Sequence, residues 1–135
     1  MKQRYLLDTN VLVHVLRNKY SVLDKIRQVG WSNCYISEFT VAELLLGAEL
    51  SKQKEENTKT VNDLVSSFKI IPFSIHLKEY CKQKAELQQK GCLIEDFDLF
   101  IGTASIVSQM TIVTENISHL SRLSGIKIEN WVERV

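Results

Sequence analysis

Apolar residues recur along this chain with two alternating periods, and the alternation predicts the architecture. Short runs, Tyr5-Leu6-Leu7, Cys34-Tyr35-Ile36-Ser37, Ile70-Ile71-Pro72-Phe73 and Thr111-Ile112-Val113-Thr114, have the length and side-chain types of buried strands. Lys127-Ile128-Glu129 is a candidate for a fifth, shorter strand. Pro72 has no amide to donate, so the third run belongs at a sheet edge or ends there. Between the runs the spacing changes to three and four. Val22, Ile26 and Val29 share one helical face, with Ser21 as a cap and Gly30 as a stop. Helices are also expected over residues 10–17, from Thr40 onward with Val41, Leu44, Leu45 and Ala48 turned inward, and over 76–90, closed by Gly91. Residues 52–60 are polar, without Gly or Pro, and suit either a solvated helix end or a loop. Helical spacing then resumes at Val61, Leu64, Val65 and Phe68. Glu95-Asp96-Phe97-Asp98 opens a helix whose Gly102, Thr103, Ala104 and Ser105 are small enough to lie close on a sheet, and a helical patch precedes Leu123.

Strands alternating with helices predict right-handed crossovers and a mainly parallel sheet covered on both faces, a three-layer α/β/α sandwich. The chain is long enough for one domain over residues 1–135 and contains no repeat, linker or low-complexity segment. No apolar run reaches the length of a membrane span. Lys2 and Arg4 precede an apolar stretch, but Asp8 and Asn10 interrupt it, against a signal peptide. Three cysteines without a CxxC pair fit reduced thiols in the cytoplasm. A formal charge of +1 does not by itself point to nucleic acid.

In such sheets ligands bind beyond the carboxyl ends of the strands. Asp8 and Asn116 fall there, and helix N-termini bring Glu43 and Asp98 to the same edge. Each acid also has an ordinary structural role. Asp8 suits a helix cap, and Thr40-Val41-Ala42-Glu43 is a capping box. Asp98 is favoured by the helix dipole, and Asp96 is the expected cap of that helix or a peripheral ligand. Together the acids are another matter, because clustered carboxylates raise one another's pKa values unless a cation intervenes. Carboxylate-only sites select Mg²⁺ or Mn²⁺, whose chemistry is water activation and in-line displacement at phosphorus. Phosphodiester hydrolysis follows as the natural reaction.

Other chemistries find less support. GxxxxGK[ST] and GxGxxG are both missing. A dehalogenase-like phosphatase needs a second Asp where Asn10 stands, and a receiver domain needs an Asp that Ile71-Pro72-Phe73-Ser74 does not offer. His14, His76 and His119 form no ligand pattern and are expected to be surface or satisfied side chains, with His119 a minor candidate for phosphate contact. Arg17 and Lys19 are candidates for phosphate contact at a groove rim.

Leu7-Asp8-Thr9-Asn10-Val11-Leu12, the segment from Ser37 to Ala48, the segment from Ile94 to Ala104, and Ile112-Val113-Thr114-Glu115-Asn116 resemble, in order and spacing, the motifs of PIN domains. The likeness is specifically to VapC-type toxin ribonucleases and covers essentially the whole chain. It implies strand order 3-2-1-4-5 and an Mg²⁺- or Mn²⁺-dependent RNA endonuclease acting as the toxin of a toxin–antitoxin pair, on transfer or ribosomal RNA. It implies Asp8, Glu43 and Asp98 as the acidic, metal-holding triad. Asn116 occupies a position that is Asp in some members, which removes one charge and leaves an amide to hold water. The Thr9 and Thr114 hydroxyls would orient ligands or water. A homodimer and an antitoxin filling the active-site groove are implied as well. The competing reading is a catalytically silent PIN fold that binds only RNA or its antitoxin; Asn116 favours it and the three acids oppose it.

Overall fold

Five short strands zip into one parallel sheet, in the order β3-β2-β1-β4-β5. They are β1 (Tyr5–Leu7), β2 (Cys34–Ser37), β3 (Lys69–Ile71), β4 (Thr111–Val113) and β5 (Ile128–Glu129), in a computed structural model that describes residues 2–134. The order is the expected one. β1 lies at the centre, with Leu6 opposite Ile112 and Leu7 opposite Val113. Successive side chains of a strand face opposite ways, so Leu6 and Leu7 seed two cores. Leu7 packs with Val11, Leu12, Ile26, Ile36 and Leu44 under α1 (Thr9–Leu16), α2 (Val22–Val29), α3 (Glu38–Glu49) and α4 (Lys54–Val65). Leu6 packs with Leu87, Leu99, Ile101, Ile112 and Leu120 under α5 (Leu77–Gln89), α6 (Asp96–Val107) and α7 (Ile117–Leu120). Among the described residues no helix is long and apolar enough to cross a membrane.

Two boundaries differ from expectation for local reasons, and one stretch left open resolves as helix. α3 opens at Glu38, not Thr40, because Ser37 leaves β2 in extended backbone and its hydroxyl accepts the Phe39 amide at 3.1 Å. Thr40 is therefore a buried residue inside the helix, and Glu43 lies too far along to complete a capping box. The polar stretch 52–60 belongs largely to α4, which buries Val61 and leaves its charged face to solvent. β3 ends before Pro72, and Phe73–His76 winds into a 3₁₀ turn instead of extending the strand. As Pro72 indicated, β3 is an edge strand.

Gly102 shows why α6 carries small residues. A Cβ built there would stand 2.4 Å from Cδ1 of Leu123 and 3.1 Å from Cδ2 of Leu120. Both leucines are buried, so neither has open space to swing into. Gly102→Val is expected to lower stability by about 2–3 kcal/mol, the usual cost of overpacking a filled core. Urea denaturation checks this, and an unchanged midpoint would show that the leucines repack freely.

Candidate active site

At the carboxyl edge of the sheet the chain turns abruptly from strand into helix, and these turns carry the polar residues. Asp8 ends β1 and caps α1, its Oδ1 accepting the Thr9 amide at 2.8 Å. It remains only 4% exposed. Its Oδ2 accepts the Thr114 hydroxyl at 2.7 Å and the Asn10 side-chain amide at 3.2 Å. Glu43, one turn into α3 and half-buried, accepts the Thr9 hydroxyl at 2.6 Å, and that hydroxyl lies 3.1 Å from Oγ1 of Thr40. Asp98, in the first turn of α6, accepts the Asn116 side-chain amide at 2.9 Å. The Asn116 backbone amide in turn donates to Oγ1 of Thr114 at 2.9 Å. Four separate segments of the chain are thereby stitched into one acidic pit.

The electrostatics of the pit are those of an uncompensated cluster. Burial pushes the Asp8 carboxyl up to about 6; the Thr114 and Thr9 bonds oppose the rise, and Asp98 and Glu43 add to it. Glu43 is raised by burial, then by Asp98 and Glu95, against the Thr9 bond. Asp98 is raised by burial and by Glu95, while His119 and Asn116 pull it back. Among the described residues none of these three acids pairs with a Lys or Arg. Each is held by a neutral hydroxyl or amide, so the acids do not close into a cage. Among the described residues no three His, Cys, Asp or Glu side chains stand at ligand spacing around one point. The donor set nevertheless fits a hard divalent cation: the donors are carboxylate oxygens, and among the described residues no Lys or Arg balances their charge.

Asp8, Glu43, Asp98, Asn116, Thr9 and Thr114 thus come together as expected. Asp96 does not join them. Glu95, not Asp96, is the N-cap residue of α6, and Asp96 turns outward to accept Lys84 Nζ at 2.9 Å and the Tyr80 hydroxyl at 2.9 Å. Those bonds, Lys84 first, hold its carboxyl below the usual range. His119 lies closer to the chemistry than its isolated position in the sequence suggests, with Nδ1 3.7 Å from Oδ2 of Asp98. His76 is fully buried, its Nδ1 3.1 Å from Oγ1 of Thr103. The residues missed by sequence reasoning are Asn10 and Thr40. Asn10 bridges Asp8 and Thr114 and accepts the Glu115 amide at 3.2 Å. The signal was there for Asn10, a polar side chain opening an otherwise apolar helix.

Beside Glu43 the pit opens into a cleft of about 350 Å³ between α1, α3 and α4, lined by Val13, Arg17, Leu44, Asn57 and Thr60 among others. Leu46 and Leu50, on the last turns of α3 and just beyond it, are 58% and 78% exposed.

Comparison with known proteins places the fold among relatives. A ribonuclease VapC2 of Rickettsia felis is 35% identical over 131 residues, spanning 94% of this chain and 97% of its own. A tRNA(fMet)-specific endonuclease VapC of Salmonella typhimurium is 29% identical over 129 residues, spanning 95% and 98%. Among solved structures, VapBC2 from Rickettsia felis bound to a DNA fragment from its promoter superposes with a TM-score of 0.88 at 32% identity, over 96% of this chain and 99% of that one. The PIN domain model matches residues 5–125, the span that carries every acid of the pit. With that match, and with relatives above 30% identity along nearly its full length, the chain belongs to the PIN-domain family.

Proposed function

We propose that this protein is an RNA endonuclease, the toxin of a toxin–antitoxin pair, with Asp8, Glu43 and Asp98 as its catalytic acids. One observation carries the reading: three carboxylates from separate segments gather at the carboxyl edge of the sheet, each with its proton affinity raised first by burial, and among the described residues none is paired with a Lys or Arg. A divalent cation of the Mg²⁺ or Mn²⁺ class, held by these three acids, would supply water activation and charge neutralisation at phosphorus. The chain's own residues prepare the place for it. Thr114 and the Thr9 amide orient Asp8, the Thr9 hydroxyl orients Glu43, and Asn116 holds Asp98 while its carbonyl oxygen serves as an acceptor for water. Burial of Asp8 keeps bulk water from competing with the incoming phosphate.

Transfer RNA is the first substrate class to test, on the strength of the relative from Salmonella typhimurium. An antitoxin partner is supported by the structural relative's paired VapBC2 name, and the cleft beside Glu43, with partly exposed Leu16 in its lining, is where a capping segment would lie. The test is incubation of purified protein, freed of any copurified partner, with total RNA and with transfer RNA in Mg²⁺, Mn²⁺ or EDTA. Discrete metal-dependent fragments with 5′-phosphate and 3′-hydroxyl ends are expected. Ends bearing 2′,3′-cyclic phosphate would overturn the hydrolytic mechanism. Folded protein that cleaves nothing in any metal would leave a binding role only.

A further inference from the structure

The C-terminal segment, beyond the matched residues 5–125, reaches Glu115, which stands between two residues of the acidic pit. After β5 the chain is pinned by Trp131 and Val132, both buried, with the Trp131 ring edge-on to Tyr5 at 5.1 Å. That anchor delivers Arg134 to Glu115. Arg134 Nε donates to Oε2 at 2.8 Å and Nη2 to Oε1 at 3.2 Å, so the guanidinium grips both carboxylate oxygens. His14 of α1 closes on the same group, its Nε2 2.5 Å from Oε1. Arg134 Nη1 also donates to the Tyr20 hydroxyl at 2.8 Å, and its guanidinium carbon lies 4.8 Å from the centre of that ring. The Tyr20 ring meets His14 edge-on at 4.7 Å.

Two observations show that this cluster holds something in place. Tyr20 stands in left-handed backbone, φ 59°, in a turn where Asn18 (φ 52°) and Ser21 (φ 55°) do so too. A β-carbon disfavours that conformation, so surrounding contacts must hold the turn. Glu115, for its part, sits between two residues of the pit. Thr114 before it donates to Asp8, and Asn116 after it donates to Asp98. The Glu115 amide donates to Asn10, which itself donates to Asp8. The grip on the Glu115 side chain thus falls on the one residue that joins Thr114 to Asn116.

We propose that Arg134 and His14, acting through Glu115, are positioning residues of the acidic site. They set where Thr114 and Asn116 hold Asp8 and Asp98, and hence how well the site takes a divalent cation. This rests on the nuclease reading above. The test uses the full chain with Arg134→Ala, Arg134→Lys, Asn116→Ala and the double variant Arg134→Ala/Asn116→Ala. It reads kcat and KM for RNA cleavage, Mn²⁺ affinity by calorimetry without RNA, and the denaturation midpoint. Arg134→Ala is expected to lower kcat and Mn²⁺ affinity about 10-fold each, the usual loss when a ligand's supporting partner is removed, with KM and the midpoint nearly unchanged. Arg134→Lys, a point charge that cannot grip both oxygens, should fall between. In the double variant the loss should be smaller than the product of the single losses, because both act on one loop. Wild-type kcat and Mn²⁺ affinity in Arg134→Ala would overturn the proposal, as would fully multiplicative losses. A raised KM with unchanged kcat would also overturn it, making Arg134 an RNA contact. If the wild type binds Mn²⁺ but cleaves no RNA, the nuclease reading falls, and the calorimetry still decides this one.

Discussion

Asp98→Asn is expected to reduce RNA cleavage by about 1,000-fold or more, on the order of 4 kcal/mol of lost transition-state stabilisation, while the fold remains intact. Asp98 is half-buried in the first turn of α6, and its carboxylate already rises in proton affinity through burial and Glu95. An amide in its place still accepts from Asn116, so the loop keeps its tie, but the negative charge that would hold a cation is gone. Circular dichroism should therefore match the wild type, and without metal the denaturation midpoint should not fall below it. Asp96→Asn makes the contrast, two residues away on the same helix turn. Its carboxylate points out to Lys84 and Tyr80, and cleavage should stay within about 3-fold of wild type, as surface substitutions ordinarily do. Cleavage by Asp98→Asn at the wild-type rate would remove it from the catalytic set.

How far such a site can be read from a sequence depends on how local its causes are. β1 and β4 were legible because Tyr5-Leu6-Leu7 and Thr111-Ile112-Val113 are short apolar runs buried on both faces. Asp8 and Asn116 followed, since residues just past parallel strands stand at the ligand-binding edge. The start of α3 was misplaced because Ser37 and Thr40 are equally good caps on paper. What separates them is the end of β2, set by its ladder to β1 and β3 and not by the neighbouring residues. Asn10 and Thr40, and the Arg134 contact proposed above, were overlooked for a related reason. Their partners lie far along the chain: Thr114 is 104 residues from Asn10, and Thr40 is 31 from Thr9. Glu115 is 19 residues from Arg134, with β5 and the Trp131 anchor between them. Only topology brings such pairs together, and a periodic pattern carries no record of them.

The acidic pit should cost stability until a cation fills it, and Asp8→Asn is expected to expose that cost through pH. The Asp8 carboxyl is raised by burial from 3.8 to about 6 in the folded protein. The folded state therefore holds this proton more tightly than the unfolded chain does. Its contribution is fully present below pH 4 and is lost as the pH rises through 6, amounting to about 3 kcal/mol by pH 8. Glu43 and Asp98 shift in the same direction for the same cause. Buried His76 acts oppositely: its pKa is lowered, chiefly by burial, so its contribution is present above pH 6.5 and lost as the pH falls. His76 is common to both proteins and cancels in the difference between them. Asp8→Asn removes the ionisation penalty but weakens one hydrogen bond to the pit, worth about 1 kcal/mol. Without metal the variant should be more stable than wild type by about 1–2 kcal/mol at pH 8 and slightly less stable at pH 4. Saturating Mn²⁺ at pH 8 should reverse the order, because a ligand at about 100 times its Kd adds about 2.7 kcal/mol to the protein that binds it. Urea denaturation at the two pH values, with EDTA or Mn²⁺, reads all of these differences. A stability gap that stays constant from pH 4 to pH 8 would show that Asp8 is an ordinary helix cap, and a wild type indifferent to Mn²⁺ would separate the acids from any metal.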